Sequence, residues 1–199
     1  MKEIFTKIWE ENLWRNGESA SGSGSTLEET EAVRKLLPSL LREFEIRSLL
    51  DIPCGDLNWI TETELPMGLN YVGADIVPEL IESNRRYPLS TLDLRVLDIT
   101  SDPLPPVDMM LVRDCLGHFS NKDVQSAVAN IKRARPKYLL ATTFPNEENS
   151  GDIETGYWRP LNLASMWGMP DPDSFFPEID VQFPDGHIST KGLGLWRIQ

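Results

Sequence analysis

The stretch Leu49–Ile60, LLDIPCGDLNWI, decides how the chain is read. It opens as a hydrophobic strand that runs into an acidic residue and a tight turn, the usual start of a nucleotide-binding α/β unit. That turn normally carries about three glycines, because a pyrophosphate needs close approach of backbone N–H groups at a helix N-terminus. Here Gly55 stands alone, Pro53 supplies no N–H, and Asp56 would meet a phosphate with a negative charge. The stretch therefore points to a polar ligand that lacks phosphate.

Outward from this stretch the pattern alternates. IRSLLDI (46–52) is a continuous apolar run suited to a strand buried on both faces. DLNWITETEL reads as helical, LNYVGADI as a second strand, and VPELIESNRRY as a helix with proline in its first turn. TLDLRVLDI (91–99) and PVDMMLVRD (106–114) follow as third and fourth strands. NKDVQSAVANIKRA is a helix capped by Asn121, and PKYLLATTF a fifth strand. This rhythm implies a doubly wound, mostly parallel sheet. The tail, EIDVQF and ISTKGLGLWRIQ around Asp185–Gly186, reads as an antiparallel hairpin closing it.

Before the first strand, Ile4, Phe5, Ile8, Trp9 and Leu13 recur at helical spacing. The Gly/Ser-rich segment 15–26 follows. In STLEET, Ser25 or Thr26 can cap a helix running to Phe44, with Glu28 or Glu29 reaching back. The division expected is an N-terminal helical extension and lid at 1–44 and a core at 45–199. Between Pro145 and Pro177 the periodicity fails; a loop of that length is functional or disordered, and its aromatics argue for order.

Of 199 residues 40% are hydrophobic and 25% charged, as in one globular domain. The net charge of −12 disfavours nucleic acid, and the basic runs NRRY and KRARPK are short helix ends. No window approaches eighteen apolar residues, and no signal-type apolar region opens the chain. Two cysteines suggest a reducing cytoplasm, and with two distant histidines they lack a metal-ligand spacing.

Ligands of open α/β sheets bind beyond the carboxyl ends of the strands. Three of these ends carry Asp51, Asp75 and Asp98. Each could cap its following helix; together they suggest a shared ligand. Asp75, about one strand–helix–strand step after Asp51, is placed to bind ribose hydroxyls and to repel a 2′-phosphate. S-adenosylmethionine fits: its ammonium and sulfonium can face carboxylates, its ribose Asp75, and its adenine Asp98.

With YVGADI, VLDI and VDMMLVRDCLGHFS, the first stretch resembles motifs one to four of the class I S-adenosylmethionine-dependent methyltransferases, from about Ile46 to Gln199. The chain is also similar to a bacterial group marked by Trp9, Asn12 and Trp14; by Glu18–Ser25; by Leu49–Trp59; by Arg113–His118; and by Gly156–Leu163. Pro53 and Leu57 depart from the general glycine motif. The resemblance implies the seven-stranded, Rossmann-like methyltransferase sheet. It implies cofactor contacts from Asp51, Pro53, Cys54, Gly55, Asp75, Ile76, Asp98, Ile99 and Arg113.

In-line methyl transfer needs alignment first, and a base if the acceptor is oxygen. RDCLGHFS offers Asp114 and His118, four residues apart, with the imidazole nearest neutrality. Asp56, Trp59, Phe144, Tyr157, Trp158 and Arg159 are candidates to wall a small-molecule or glycan-type acceptor, though the same aromatics could pack the long loop onto the sheet. His187, by the terminal turn, is expected to be uninvolved. A nicotinamide-dependent oxidoreductase and a non-catalytic cofactor-binding module are the competing readings.

Overall fold

The computed structural model describes residues 1–87, 92–149, 151–164 and 167–198. Its elements are α1 (Lys2–Glu10), α2 (Glu31–Glu43), β1 (Ser48–Asp51), β2 (Asn70–Asp75), α3 (Pro78–Asn84), β3 (Leu92–Val96), β4 (Met109–Val112), α4 (Asn121–Ala134), β5 (Tyr138–Thr143), β6 (Ser174–Gln182) and β7 (Ile188–Arg197). They build a seven-stranded sheet in the order β3-β2-β1-β4-β5-β7-β6. Five strands run parallel, and β7 lies antiparallel to both β5 and β6. This is the doubly wound sheet with a C-terminal hairpin that the sequence implies.

Apolar runs make strands here because both faces of the sheet are covered. Successive residues feed opposite layers, as a period of two requires. Leu49, Met109 and Leu111 pack with Val33, Leu37 and Leu41 of α2. Leu50, Met110 and Val112 pack with Val124, Val128 and Ile131 of α4. The apolar stripe of α4 spaces Val124, Ala127, Val128 and Ile131 at helical intervals.

Several boundaries differ from the sequence reading. DLNWITETEL yields only the short 3₁₀ turn Ile60–Glu62, since Trp59 and Ile60 are buried within one turn and no apolar stripe extends further. The cap of α4 is Ser120, whose Oγ accepts the Asp123 N–H at 3.2 Å, and Asn121 is the first helical residue. Thr26 Oγ1 does accept the Glu29 N–H, but the returning carboxylate comes from Glu18, which accepts the Leu27 N–H at 2.7 Å. The helix proper starts later, at Glu31. β6 begins at Ser174, before the expected Glu178. Thr91 and Gln199, which open the expected third strand and close the expected tail, lie outside the described residues.

The sheet order reverses beside β1, whose neighbours are β2 on one side and β4 on the other. At such a switch point the loops leaving adjacent strands turn opposite ways and open a crevice. The turn 52–58 lies there. Leu57 occupies a glycine position of the general motif and takes φ 61°. A left-handed residue with a Cβ costs about 1–2 kcal/mol; the Leu57 side chain is fully buried in the α2-side core, which offsets that cost.

Candidate active site

A cleft with about 930 Å³ of empty space, counted out to open solvent, lies beyond the ends of β1, β2 and β4. Its floor includes Asp51, Pro53, Cys54, Gly55, Asp75, Ile76, Ile99 and Arg113. Phe5 and Trp9 of α1, with Trp14, Ala20 and Ser21 of the following loop, line it from the N-terminal segment. Asp114 and His118 border it on the β4 side.

Asp51 and Asp75 are buried and satisfied by neutral donors. The Tyr71 hydroxyl donates to Asp51 Oδ2 at 2.6 Å. The Val77 and Gly55 N–H groups donate to the two Asp75 oxygens at 3.0 and 3.3 Å, tying the first turn to the end of β2. Burial pushes the Asp51 carboxyl up to about 7, against the pull of Tyr71 and Arg113. It pushes Asp75 up to about 6, against its backbone donors. Asp98 stands outside the lining; its Oδ1 accepts the Thr100 N–H and hydroxyl, so it organises its own turn while Ile99 reaches the cleft. Burial also drives both thiols, Cys54 and Cys115, well above their ordinary value.

Asp56 is taken by the N-terminal loop. Its carboxylate accepts the Ser19 hydroxyl at 3.0 Å, the Ala20 N–H at 2.8 Å and the Ser21 hydroxyl at 3.2 Å. Asn58 donates to Glu18 and to the Ser25 carbonyl. Gly55 has φ 56°, and a Cβ there would sit 2.3 Å from Ser21 Oγ, so this glycine gives the loop room to dock.

On the other flank lies a largely buried chain of alternating charge. Arg113 Nε donates to Glu178 at 2.8 Å, and its Nη1 donates to the Gly24 carbonyl at 2.7 Å while lying 3.2 Å from Asp114. Lys191 Nζ donates to Asp114 Oδ2 at 2.9 Å. Glu178 reaches Arg113 because the β6–β7 register shifts between Pro177 and Ile179, leaving Glu178 as a bulge. Burial would raise the Asp114 carboxyl, but Arg113 and Lys191 beside it hold it below the usual value.

His118 ends the 3₁₀ turn Leu116–His118, and its ring lies 5.3 Å from that of Trp14. Its Nδ1 lies 3.0 Å from the Tyr157 carbonyl, which only accepts, so Nδ1 carries the proton and Nε2 the lone pair. Burial holds the imidazole below its ordinary 6.5, although Asp114 pulls the other way.

The acceptor candidates divide. Trp59 lines the cleft, with Arg113 over its ring at 5.7 Å. Phe144, Trp158 and Arg159 line a smaller cavity with Gly117 and Thr142, and that cavity meets the cleft at Asp114. Tyr157 is exposed and contributes its carbonyl to His118. Phe144–Trp158–Phe183–His187 form a continuous aromatic row, with ring centroids 6.0, 6.1 and 4.3 Å apart. Sequence reading missed Tyr71, Glu178 and Lys191. Their one signal is a polar residue at an inward position of an apolar strand, as in ISTKGLGLW, and that signal needs the register to be known. Among the described residues no three His, Cys, Asp or Glu side chains are grouped to hold a metal ion. No described helix is long and apolar enough to cross a membrane.

The strand order, the switch-point cleft and the terminal hairpin define the seven-stranded methyltransferase fold. The chain is similar to the Synechocystis magnesium protoporphyrin IX methyltransferase with bound S-adenosylhomocysteine: TM-score 0.59, 10% identity, 98% of this chain and 100% of that one. It is also similar to the Burkholderia thailandensis 1,6-didemethyltoxoflavin-N1-methyltransferase with that ligand: TM-score 0.60, 14% identity, 98% and 86% covered. A third is human N-acetylserotonin methyltransferase in complex with S-adenosylmethionine: TM-score 0.57, 17% identity, 98% and 59% covered. No protein-family model matches the chain, and no curated protein does.

Proposed function

We propose that this protein transfers a methyl group from S-adenosylmethionine to an oxygen of a small-molecule or glycan-type acceptor. The observation that carries the reading is the pair Asp51 and Asp75, buried at the switch point with no cation bonded to either carboxylate among the described residues and both pushed toward neutrality. A ligand with two positive centres and a ribose, and no phosphate, complements that pair. Pro53 and Asp56 at the same turn oppose a pyrophosphate.

Asp51, with Pro53, Cys54, Gly55 and Arg113, would hold the methionine end. Asp75 would take the ribose, and Ile76 and Ile99 would flank the adenine. When bound, the cofactor would supply a methyl group on a sulfonium, whose sulfur keeps the electron pair of the broken carbon–sulfur bond and leaves as the neutral thioether of S-adenosylhomocysteine. His118 Nε2 would accept the proton of the acceptor hydroxyl. The lone pair of that oxygen would then form the new bond to carbon. Residues 1–44 serve as the helical extension and lid, closing over the cleft to exclude water. The acceptor would enter the main cleft beside Trp59, Asp114 and His118, with Phe144 and Trp158 walling its edge where the two cavities meet at Asp114.

Calorimetry tests this directly. S-adenosylmethionine and S-adenosylhomocysteine should bind, and Asp75→Ala should weaken both about 10- to 100-fold, the loss of one or two charge-assisted hydrogen bonds. Unchanged affinity in that variant, or binding of a nicotinamide dinucleotide in place of the adenosyl ligand, would overturn it.

A further inference from the structure

The largely buried chain Glu178–Arg113–Asp114–Lys191 is more than a packing device, because Asp114 within it lines the same cleft as His118, four residues further on. Lys191 belongs to β7, and Glu178 to the bulge of β6. Both come from the terminal hairpin, far in sequence from the segment 113–118 that carries the acid–base candidates. Lys191 is buried, and its Nζ donates to Asp114 Oδ2. The Asp114 N–H is fixed in turn by the Thr142 hydroxyl at 2.8 Å, with the residue at φ 46°. Gly24 packs directly on that carboxylate: a Cβ there would fall 2.6 Å from Asp114 Oδ2. Asp114 is thus pinned from three sides, and the two cations that hold its carboxyl below the usual value make it a weak base. What remains for it is the field that it exerts on the imidazole.

We propose that Lys191 is a positioning residue for methyl transfer, acting through Asp114 on the imidazole of His118. The inference rests on the methyl-transfer reading for its meaning, though not for its test. Lys191 fixes the Asp114 carboxylate and offsets part of its charge. His118 then keeps a free Nε2 lone pair at neutral pH and still gains stabilisation when it becomes imidazolium. Without Asp114 the imidazole would be a weaker base; without Lys191 it would already be protonated at higher pH. The charged groups around this point are Asp51 from β1, Asp75 from β2, Arg113 and Asp114 after β4, Glu178 from β6, Lys191 from β7, and Arg159, whose N–H binds the Gly117 carbonyl. The N-terminal loop adds the Trp14 ring and the Gly24 carbonyl.

The chain holds two histidines, so a ring-proton NMR titration of the full protein resolves His118 and uses His187 as an internal control. In the unaltered protein the His118 midpoint should fall below 6.5. Lys191→Met removes a positive charge and should raise that midpoint by about half to one unit. Asp114→Asn removes a negative charge and should lower it by a similar amount, roughly half to one unit. Lys191→Arg should restore it, and His187 should not move. Should Lys191→Met fail to fold, Lys191→Gln keeps a donor to Asp114 without the charge and gives the same reading. A merely structural lysine predicts no opposed shifts. An unmoved His118 midpoint, or shifts of one sign in both variants, overturns the inference. Calorimetry of the unaltered protein with S-adenosylmethionine runs beside it. No binding there defeats the methyl-transfer reading alone, and binding with an unmoved His118 midpoint defeats the role of Lys191 alone.

Discussion

Two pairs of carboxylates share this sheet, Asp51 with Asp75 buried and Asp114 with Glu178 half-buried, and they are finished differently. Asp51 and Asp75 are met by a phenol hydroxyl and peptide N–H groups, and burial pushes them up to about 7 and about 6. Asp114 and Glu178 are met by Arg113 and Lys191, and the cations keep Asp114 below its usual value. The second group is electrically closed within the chain. Among the described residues the first has no bonded cation, and that deficit is what a cationic ligand would fill. Burial of an acid is thus no sign of a binding site by itself; the identity of its partners decides.

The largest expected effect attacks the closed group. Arg113→Met leaves Asp114 with Lys191 alone and Glu178 with no cation, inside a protein interior. Removing one partner of a buried pair costs about 3–5 kcal/mol. Urea unfolding should show that loss, with an unchanged slope and an earlier midpoint. A cost under about 1 kcal/mol, the range of exposed pairs, would erase the difference between the two groups.

The open group should respond in the opposite sense. Asp51 has its folded value raised from 3.8 to about 7, so between those values the folded state binds more protons than the unfolded one. Stability from this group is complete below 3.8 and is lost as the pH rises through about 7. The melting temperature of the ligand-free protein should therefore fall between pH 5.5 and 8. Asp51→Asn should flatten that slope and gain up to about 4 kcal/mol at pH 8, the linkage equivalent of the rise from 3.8 to about 7. Ligand binding reverses the sign. A cation favours the ionised carboxylates, so S-adenosylmethionine should release protons at pH 6 and bind more tightly at pH 8. A pH-independent affinity would show that the positive centres lie elsewhere.

Much of this architecture was legible in the sequence, for definite reasons. Apolar runs such as Ile46–Ile52 and Tyr138–Thr143 declare strands covered on both faces, and the acids that end them declare the rim. Asp51, Asp75, Gly55 and Arg113 accordingly converge on one cleft. Asp98 does not, because an aspartate followed two residues later by threonine can close its own turn, and nothing local distinguishes that use from ligand contact. Lys191 and Glu178 stayed hidden because their meaning depends on the β6–β7 register and its bulge, which is a long-range property. The loop at Glu18–Ser25 reads as a linker by composition, yet its serines serve as hydroxyl donors to Asp56.

That loop joins the two groups, and the smallest predicted effect tests how. It is held at Asp56 on the open side and at Arg113, through the Gly24 carbonyl, on the closed side. Asp56→Asn leaves one acceptor oxygen where two carboxylate oxygens served three donors from Ser19, Ala20 and Ser21. Weaker capture should cost about 1–2 kcal/mol, confined to local opening of the loop. Hydrogen exchange at the Ala20 amide should then speed up about 5- to 30-fold, the rate equivalent of that loss, while global unfolding stays nearly unchanged. If Ala20 keeps its protection, the Arg113–Gly24 contact holds the loop together with the bonds from Asn58 to Glu18 and Ser25. Docking would then rest less on Asp56 than on these contacts, and Arg113→Met would expose the loop even where Asp56→Asn does not.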